Sequence, residues 1–328
     1  MAENELNLEK KGGHHGPHGE DHGNEEHFHG PHKKGPHHEG HHGKHYSPAF
    51  NNFMETFRRV FISPSAKLGG IMFVIVVLLL VFAPLIAPYK PTAVDLKNTF
   101  ATPSLAHLCG TDKLGRDIFS RLLYGGRYSL ALGLTAAVVG SVGGVIVGSI
   151  AGYFGGRVED LIMRFCDIWG ALPGSLMTLL LAASFGAGLW QTIVSLSISA
   201  IPNGARMTRG QILGERGKEY VEAAESFNCP KSVIMFRHLL PNVISPTIVN
   251  TTMKIGGSIT MVAGLSYLGL GIQPPTPEWG AMLSDGISYI SAYPHMVIFP
   301  GIAIAICVLS INLMGDGLRD ALDPKMRS

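Results

Sequence analysis

From Leu68 to Tyr89 the chain carries no charged side chain, and the run Ile71-Met72-Phe73-Val74-Ile75-Val76-Val77-Leu78-Leu79-Leu80-Val81-Phe82 within it is wholly apolar. A hydrocarbon core about 30 Å thick is crossed by roughly 20 residues of helix, and a backbone inside it must satisfy its own hydrogen bonds. This stretch therefore predicts a membrane-crossing helix. The same character returns from Tyr128 to Gly156, from Ile168 to Ala205, from Ser245 to Leu270 apart from Lys254, and from Gly286 to Gly315. Ile168 to Ala205 is long enough for two helices hinged at Gly186-Ala187-Gly188. The expectation is an all-α membrane protein with six transmembrane helices.

Several of these runs are built from small residues, as in Gly140-Ser141-Val142-Gly143-Gly144-Val145-Ile146-Val147-Gly148. In lipid no hydrophobic force drives helices together, and small side chains let backbones approach closely, so these helices are expected to pack mainly on protein. Residues 1–48 differ: they hold most of the histidines, many glycines and almost no aliphatic side chains. They cannot bury enough surface to offset the entropy of ordering and read as a disordered tail. The first apolar run begins near residue 68, too far in for a signal peptide. The expected organisation is a His/Gly-rich tail over 1–48, an N-terminal region with the first crossing over 55–105, a transmembrane domain over 125–317 with a polar loop at 204–243, and a C-terminal tail over 318–328.

Lys and Arg set the expected orientation. With the tail inside, the cytoplasmic side receives Arg58, Arg59, Lys67, Arg157, Arg164, Arg206, Arg209, Arg216, Lys218, Lys231, Arg237, Arg319, Lys325 and Arg327, while the segment Ile272 to Pro294 carries no Lys or Arg. One outer loop dissents, because Lys90 to Arg127 contains Lys90, Lys97, Lys113, Arg116, Arg121 and Arg127, offset in part by Asp95, Asp112 and Asp117. Both termini are expected in the cytoplasm. Within that loop, Asp117 is expected to cap a short helix lying along the outer surface on Ile118, Leu122 and Leu123. Trp279 and Tyr289 are expected at headgroup level, beside a loop stiffened by Pro274, Pro275 and Pro277.

No catalytic constellation is visible. A phosphate-cradling loop needs G-x-x-x-x-G-K-[ST], and Gly214-Glu215-Arg216-Gly217-Lys218-Glu219 has the wrong spacing and no hydroxyl after Lys218. Cys109, Cys166, Cys229 and Cys307 are scattered without a C-x-x-C pair, which implies neither a disulfide framework nor a zinc site. A stand-alone secondary transporter would carry paired carboxylates or histidines inside its helices; the runs offer Lys254 and His295, not placed as a relay. Nothing points to nucleic acid.

One block is polar and helix-compatible yet stranded between apolar runs: Glu219-Tyr220-Val221-Glu222-Ala223-Ala224-Glu225-Ser226-Phe227-Asn228, continuing to Phe236-Arg237-His238-Leu239-Leu240-Pro241-Asn242. Ala223 and Ala224 are good helix formers of minimal bulk, suited to a groove in another protein. Glu219, Glu222 and Glu225 recur at helical spacing as an acidic stripe for basic residues on that partner. Phe227 and Val221 supply apolar anchors. Asn228 is the usual second choice to glycine where a helix ends on a positive φ. Pro230 fits the first turn of a second helix, whose apolar face would be Val233, Phe236 and Leu240 and which Pro241 is expected to end.

This block resembles the "EAA" coupling loop of permease subunits of ATP-binding-cassette importers, with Asn228 where the family has glycine. Further blocks resemble the dipeptide, oligopeptide and nickel branch: His107-Leu108-Cys109-Gly110-Thr111-Asp112-Lys113-Leu114-Gly115-Arg116-Asp117, Phe119-Ser120-Arg121-Leu122-Leu123-Tyr124-Gly125-Gly126-Arg127, Gly264-Leu265-Ser266-Tyr267-Leu268-Gly269-Leu270-Gly271, Gln273-Pro274-Pro275-Thr276-Pro277-Glu278-Trp279-Gly280 and Gly315-Asp316-Gly317-Leu318-Arg319-Asp320. The resemblance implies the type I ABC-importer permease fold, with six transmembrane helices. It implies alternating-access import of dipeptides or oligopeptides across the cytoplasmic membrane, with nickel or another transition metal as the alternative cargo. It also implies partners: a homologous permease subunit, two ATPase subunits that bind ATP and Mg and dock on the coupling loop, and an extracytoplasmic substrate-binding protein. This chain then has no cofactor of its own. Peptide-importing relatives often carry an acidic residue just before the Ala-Gly-Leu-Ser block, and here that position is Val262.

The tail bears on cargo. His14, His15, His18, His22, His27, His29, His32, His37, His38, His41, His42 and His45 alternate with Gly, Pro, Glu and Asp, a composition able to chelate Ni²⁺, Zn²⁺, Co²⁺ or Cu²⁺ loosely through imidazole nitrogen. Low-complexity chain without a selected role is the competing reading.

Overall fold

The structure, a computed structural model, describes residues 64–322; the histidine tail lies outside them. Among the described residues the regular structure is helical, apart from one isolated bridge between Thr111 and Asp117. In chain order the helices are α1 (Pro64–Val81), α2 (Ala83–Ile86), α3 (Ile118–Phe154), α4 (Gly156–Gly170), α5 (Gly174–Phe185), α6 (Leu189–Arg216), α7 (Glu219–Ser226), α8 (Lys231–Val233), α9 (Leu240–Tyr267), α10 (Trp279–Ile287) and α11 (His295–Leu322). A π-helical segment, Ile234–Leu239, joins α8 to α9 without a break.

The longest element is α3. Its N-terminus is fixed by Asp117, whose carboxylate accepts from the Ser120 amide at 2.8 Å and the Ser120 hydroxyl at 2.7 Å. The 37 residues that follow extend about 55 Å. The short surface helix expected after Asp117 is therefore the first turns of a membrane helix, and Ile118 and Leu123 are buried in the core. Gly125 and Gly126 do not break it because another chain segment fills their space: a Cβ on Gly126 would stand 2.4 Å from the Trp279 ring.

The expected close packing of small residues is realised between α3 and α6. A Cβ on Gly140 would stand 2.9 Å from the Cβ of Ala200, one on Gly144 2.8 Å from the Cα of Gly204, one on Gly148 2.4 Å from the Ala205 carbonyl oxygen, and one on Gly152 2.9 Å from the Cβ of Ile212. These four glycines recur every four residues and clear one face of α3, so that two backbones touch where leucines would hold them apart. On the far side α1 lies along α11, where a Cβ on Gly69 would reach within 2.6 Å of the Cβ of Leu313.

Counted by length and apolar content, four segments can cross a membrane: α1, α3, the continuous run Lys231–Tyr267, and His295–Asp320. The pair α4–α5, with 87° between its halves, counts as a fifth when the two halves are taken as one span. The bend falls at Ala171-Leu172-Pro173, a break additional to the expected one at residues 186–188, where Gly186 and Gly188 have φ of 84° and 150°. The remaining expected crossing is α6, which has the length, 28 residues, but carries Pro202 in its interior and Arg206 and Arg209 in its second half. The last crossing begins at His295, not near Gly286, which belongs to α10.

At the Asp117 end of α3 the dissenting charged loop folds on itself. The Asp112 carboxylate accepts from Arg116 Nε at 2.6 Å and lies 3.6 Å from Arg121, and Asp285 accepts from Lys113 at 2.9 Å and from Arg116 at 3.5 Å. Asp112, Arg116 and Arg121 are all buried, so two of the six cations that disturbed the orientation count are neutralised inside the protein, and Lys113 is paired at its edge. Beside them Glu278, fully buried, accepts from the Ser129 hydroxyl at 2.6 Å and caps α10 through the Ala281 amide at 2.9 Å. Trp279 is buried too, its indole N–H donating to the Leu122 carbonyl at 2.9 Å. It is a core residue of the α3–α10 contact, not a headgroup anchor, and half-buried Tyr289 packs on Phe100. Burial, with the Asp117 charge second, pushes the Cys109 thiol up to about 11, and all four cysteines are free.

Candidate functional site

The opposite end of α3 carries the polar block. Here α6 runs out of the bundle and stops at Gly217, α7 turns back, and the α8–α9 run re-enters. Val221 and Ala224 face inward with Tyr153, Ile212, Ile234, Met235, Leu239 and Val243 in one buried cluster. The seat of α7 is thus made of its own chain. Val221, at 1% exposure, is unavailable as an anchor for a partner, and Ala224, at 9%, is small because the cluster beneath leaves no room.

What α7 leaves outward is a narrower set than the sequence implies. Glu219, Glu222, Ala223 and Glu225 are exposed, and Phe227 is 85% exposed. None of the three glutamates is in an ion pair among the described residues. The outward surface is therefore an acidic stripe with one small residue in its middle and an unprotected phenyl ring at its end, which presents charge and an apolar knob together.

Asn228 adopts φ 56°, as its position after the helix predicts. Its amide donates to the Glu225 carbonyl at 2.9 Å and the Cys229 amide to the Ala224 carbonyl at 3.1 Å. These are the two bonds of the Schellman motif, which satisfy carbonyls the helix end would leave open. Pro230 follows at the N-cap of α8.

The expected second helix departs from the sequence reading in two ways. Its buried face is Ile234, Met235 and Leu239, whereas Phe236 is 69% and Val233 37% exposed, with Leu240 half-buried. Pro241 does not end it. A proline has no N–H to give the carbonyl four residues back and its ring crowds that carbonyl. The helix widens just ahead of Pro241, where the Leu240 amide donates to the Met235 carbonyl five residues back, and then continues to Tyr267.

Polar contacts unpredicted by sequence tie this loop to the bundle. Tyr220 donates to Glu215 at 2.7 Å and accepts from the Asn242 amide at 3.0 Å, joining α6, α7 and α9, and Asn242 also donates to the His238 carbonyl at 2.8 Å. Burial and the bond to Glu215 raise the Tyr220 phenol above its ordinary range, so it remains a donor. Arg209 holds Glu159 of α4 through both Nε, at 2.6 Å, and a terminal nitrogen. Arg216 donates to the Tyr153 carbonyl at 3.2 Å. The only sequence trace of these links is the clustering of arginines in the second half of α6.

Residues 144–328 match the family described as binding-protein-dependent transport system inner membrane component, and residues 52–103 match the N-terminal TM domain of oligopeptide transport permease C. The chain belongs to the binding-protein-dependent permease family. The permease is 42% identical to the glutathione transport system permease protein GsiD of Pectobacterium atrosepticum over 84% of this chain and 91% of that protein. It is 43% identical to GsiD of Escherichia coli over 85% of this chain and 91% of that one. An inward-facing structure of the MetNI methionine ABC transporter shares the fold at a TM-score of 0.50 and 21% identity, covering 62% of the permease and 96% of that chain. The permease is a multi-pass inner-membrane subunit of a peptide-type ATP-binding-cassette importer, and in this family ATP hydrolysis lies in partner subunits.

Proposed function

We propose that the permease forms part of the conduit of an importer for short peptides, dipeptides and oligopeptides including glutathione-like ones, and is driven by ATPase subunits that grip α7. What supports the cargo is the 42–43% identity over 84–85% of the chain to permeases named for glutathione transport. What supports the coupling role is the outward set Glu219, Glu222, Ala223 and Phe227 on a helix whose other face is locked into the bundle. Because Val221, Ala224 and Tyr220 tie α7 to α3, α6 and α9, a push on α7 reaches long helices rather than being absorbed locally. A homologous second permease subunit, two ATPases and an extracytoplasmic binding protein complete the assembly, with both termini of this chain cytoplasmic.

Val262 bears little on cargo. It is fully buried against Leu132, Ala136 and Leu196, where a carboxylate would meet protein and not a conduit. The nickel reading rests on the tail histidines and on the resemblance to a branch that includes nickel permeases. Titration calorimetry of the binding protein that stimulates the reconstituted assembly decides between the cargoes. Micromolar binding of glutathione or dipeptides without response to Ni²⁺ is expected, and the reverse pattern overturns the peptide reading.

A further inference from the structure

Lys254 sits inside the continuous helical run Lys231–Tyr267, one of the segments able to cross a membrane. It is half-buried, forms no ion pair, and has no charged group near enough to act on it among the described residues. Other polar side chains of this stretch are satisfied by their own helix. Thr247, Asn250, Thr251 and Thr260 each donate to the backbone carbonyl four residues back, at 2.8, 2.8, 2.8 and 3.1 Å. The lysine is left with a full charge. Within a crossing, an ionisable side chain faces either the bundle interior or a water-filled cavity. The interior sides of α9 are taken, since Ile259 packs on Gly133 of α3 and Met253 on Gly315 of α11. Lys254 is turned about 140° and about 100° away from those two residues.

The surface it shares is unlike one that meets lipid. Lys254, Gly257, Met261 and Gly264 follow one another at steps of three and four and so lie on one face. Both glycines are exposed, with open space where a Cβ would stand. From Val249 to Ser266 no large apolar side chain of α9 is exposed, whereas α1 exposes Ile71, Val74 and Leu78 and α11 exposes Ile298, Ile302 and Leu309. An acyl chain would find little to pack against on this face, and a hydrated path would find a cleared wall.

We propose that Lys254 lines the conduit and receives the carboxylate of a peptide in transit. This deepens the peptide reading, on which it rests, by naming the group of the cargo that is gripped and the residue that grips it. Every unblocked peptide carries a carboxylate, and glutathione carries two against one ammonium, so a lone ammonium in the wall complements this cargo by charge. The same ammonium repels Ni²⁺. Between low-dielectric walls such a charge raises the local concentration of anions, and a hydrogen bond between ionised partners is stronger than a neutral one. Cargo that has left the binding protein is thereby held in the conduit while the helices reorient, instead of returning. The residue acts on how much cargo moves per ATP, not on how fast ATP is split.

The test uses proteoliposomes of the complete importer with its binding protein, and S-methylglutathione and dialanine as cargo. In Lys254→Met, uptake of S-methylglutathione should fall roughly tenfold, the low end of what a hydrogen bond to a charged group contributes, while ATP hydrolysis stimulated by the binding protein keeps its parental rate. Dialanine, with one carboxylate and no net charge, should lose less. Lys254→Cys should behave as Lys254→Met until an aminoethyl methanethiosulfonate, loaded on both faces, restores a cation; the sulfonatoethyl reagent should modify the same thiol without rescue. The parent treated alongside controls for its own cysteines, of which Cys109, Cys166 and Cys307 are buried. Unaltered uptake in Lys254→Met, equal losses for the two cargoes, ATP hydrolysis falling in step with uptake, or a Lys254→Cys thiol that neither reagent reaches overturns the proposal. Release of the second permease subunit from Lys254→Met shows that the lysine pairs with an acid of that subunit, which also overturns it. A parent importer that takes up neither cargo overturns the peptide reading and this one with it, whereas a parent that takes up both and a variant that matches it overturn this one only.

Discussion

Replacing Asn228 by valine tests the turn that aims α7. At φ 56° an L-residue pays roughly 1–2 kcal/mol for the contact between Cβ and carbonyl, which asparagine largely escapes by local hydrogen bonding and a β-branched residue cannot. A penalty of about 2 kcal/mol raises the opened form about 30-fold. Opening breaks the bonds from the Asn228 and Cys229 amides, 2.9 and 3.1 Å long, and frees Cys229, which packs half-buried against the cluster beneath α7. Maleimide labelling of Cys229 in membranes should therefore accelerate by up to that factor, and capture of the ATPase subunits should weaken. Membrane insertion should be unaffected, because no crossing is touched. Asn228→Gly, which tolerates the same φ, should label and assemble as the parent does. Valine behaving like asparagine in the labelling assay refutes the turn geometry. Faster labelling with undiminished ATPase capture keeps the turn and refutes the coupling role of α7.

Ala223→Trp, on the exposed face, should abolish peptide uptake while the chain keeps its parental melting temperature, and Glu222→Lys should do the same by charge reversal; Ala224→Leu should instead lower the melting temperature in detergent, because it overpacks a site 9% exposed by about 1–3 kcal/mol. Gly148→Leu drives a side chain into the Ala205 carbonyl, 2.4 Å from the position of its Cβ, and should prevent stable folding in thermal-shift measurements, whereas Gly210→Ala, with open space around it, should be neutral or slightly stabilising. Arg116→Ala leaves the Asp112 carboxylate buried without its 2.6 Å partner and should cost about 3–5 kcal/mol, read as a large fall in thermal stability with the α7 surface unaltered.

The parts of this molecule legible in sequence are those set by a single segment. The crossing within α3 from Tyr128, its face of small residues and the positive φ of Asn228 each follow from a local pattern. The parts that were not legible depend on what a distant segment brings. Trp279 reads as an interfacial aromatic until Glu278 and Ser129 place it under α3, and Val221 reads as a partner anchor until Tyr153 and Ile234 close over it. The charges at Lys113 and Arg116 read as an anomaly of orientation because a carboxylate they share, Asp285, lies more than 160 residues away in the chain. Pro241 misleads for a different reason. It is a local stop signal, but a helix can also absorb it by widening, and no local pattern says which will happen.

That widening fixes a bearing. Each residue of an α-helix advances the chain about 100° around its axis, and a turn closed five residues back holds one residue more than an α turn. Everything before Ile234 is therefore rotated by about one such step relative to the helix that Leu240–Tyr267 would project downward. Deleting a single residue from Ile234–Leu239 would restore an uninterrupted screw and turn Ile234 and Met235 away from the cluster that seats α7, so that the acidic edge would lose its bearing with every side chain on it unchanged. The heading of this surface is thus stored as one residue's worth of backbone phase.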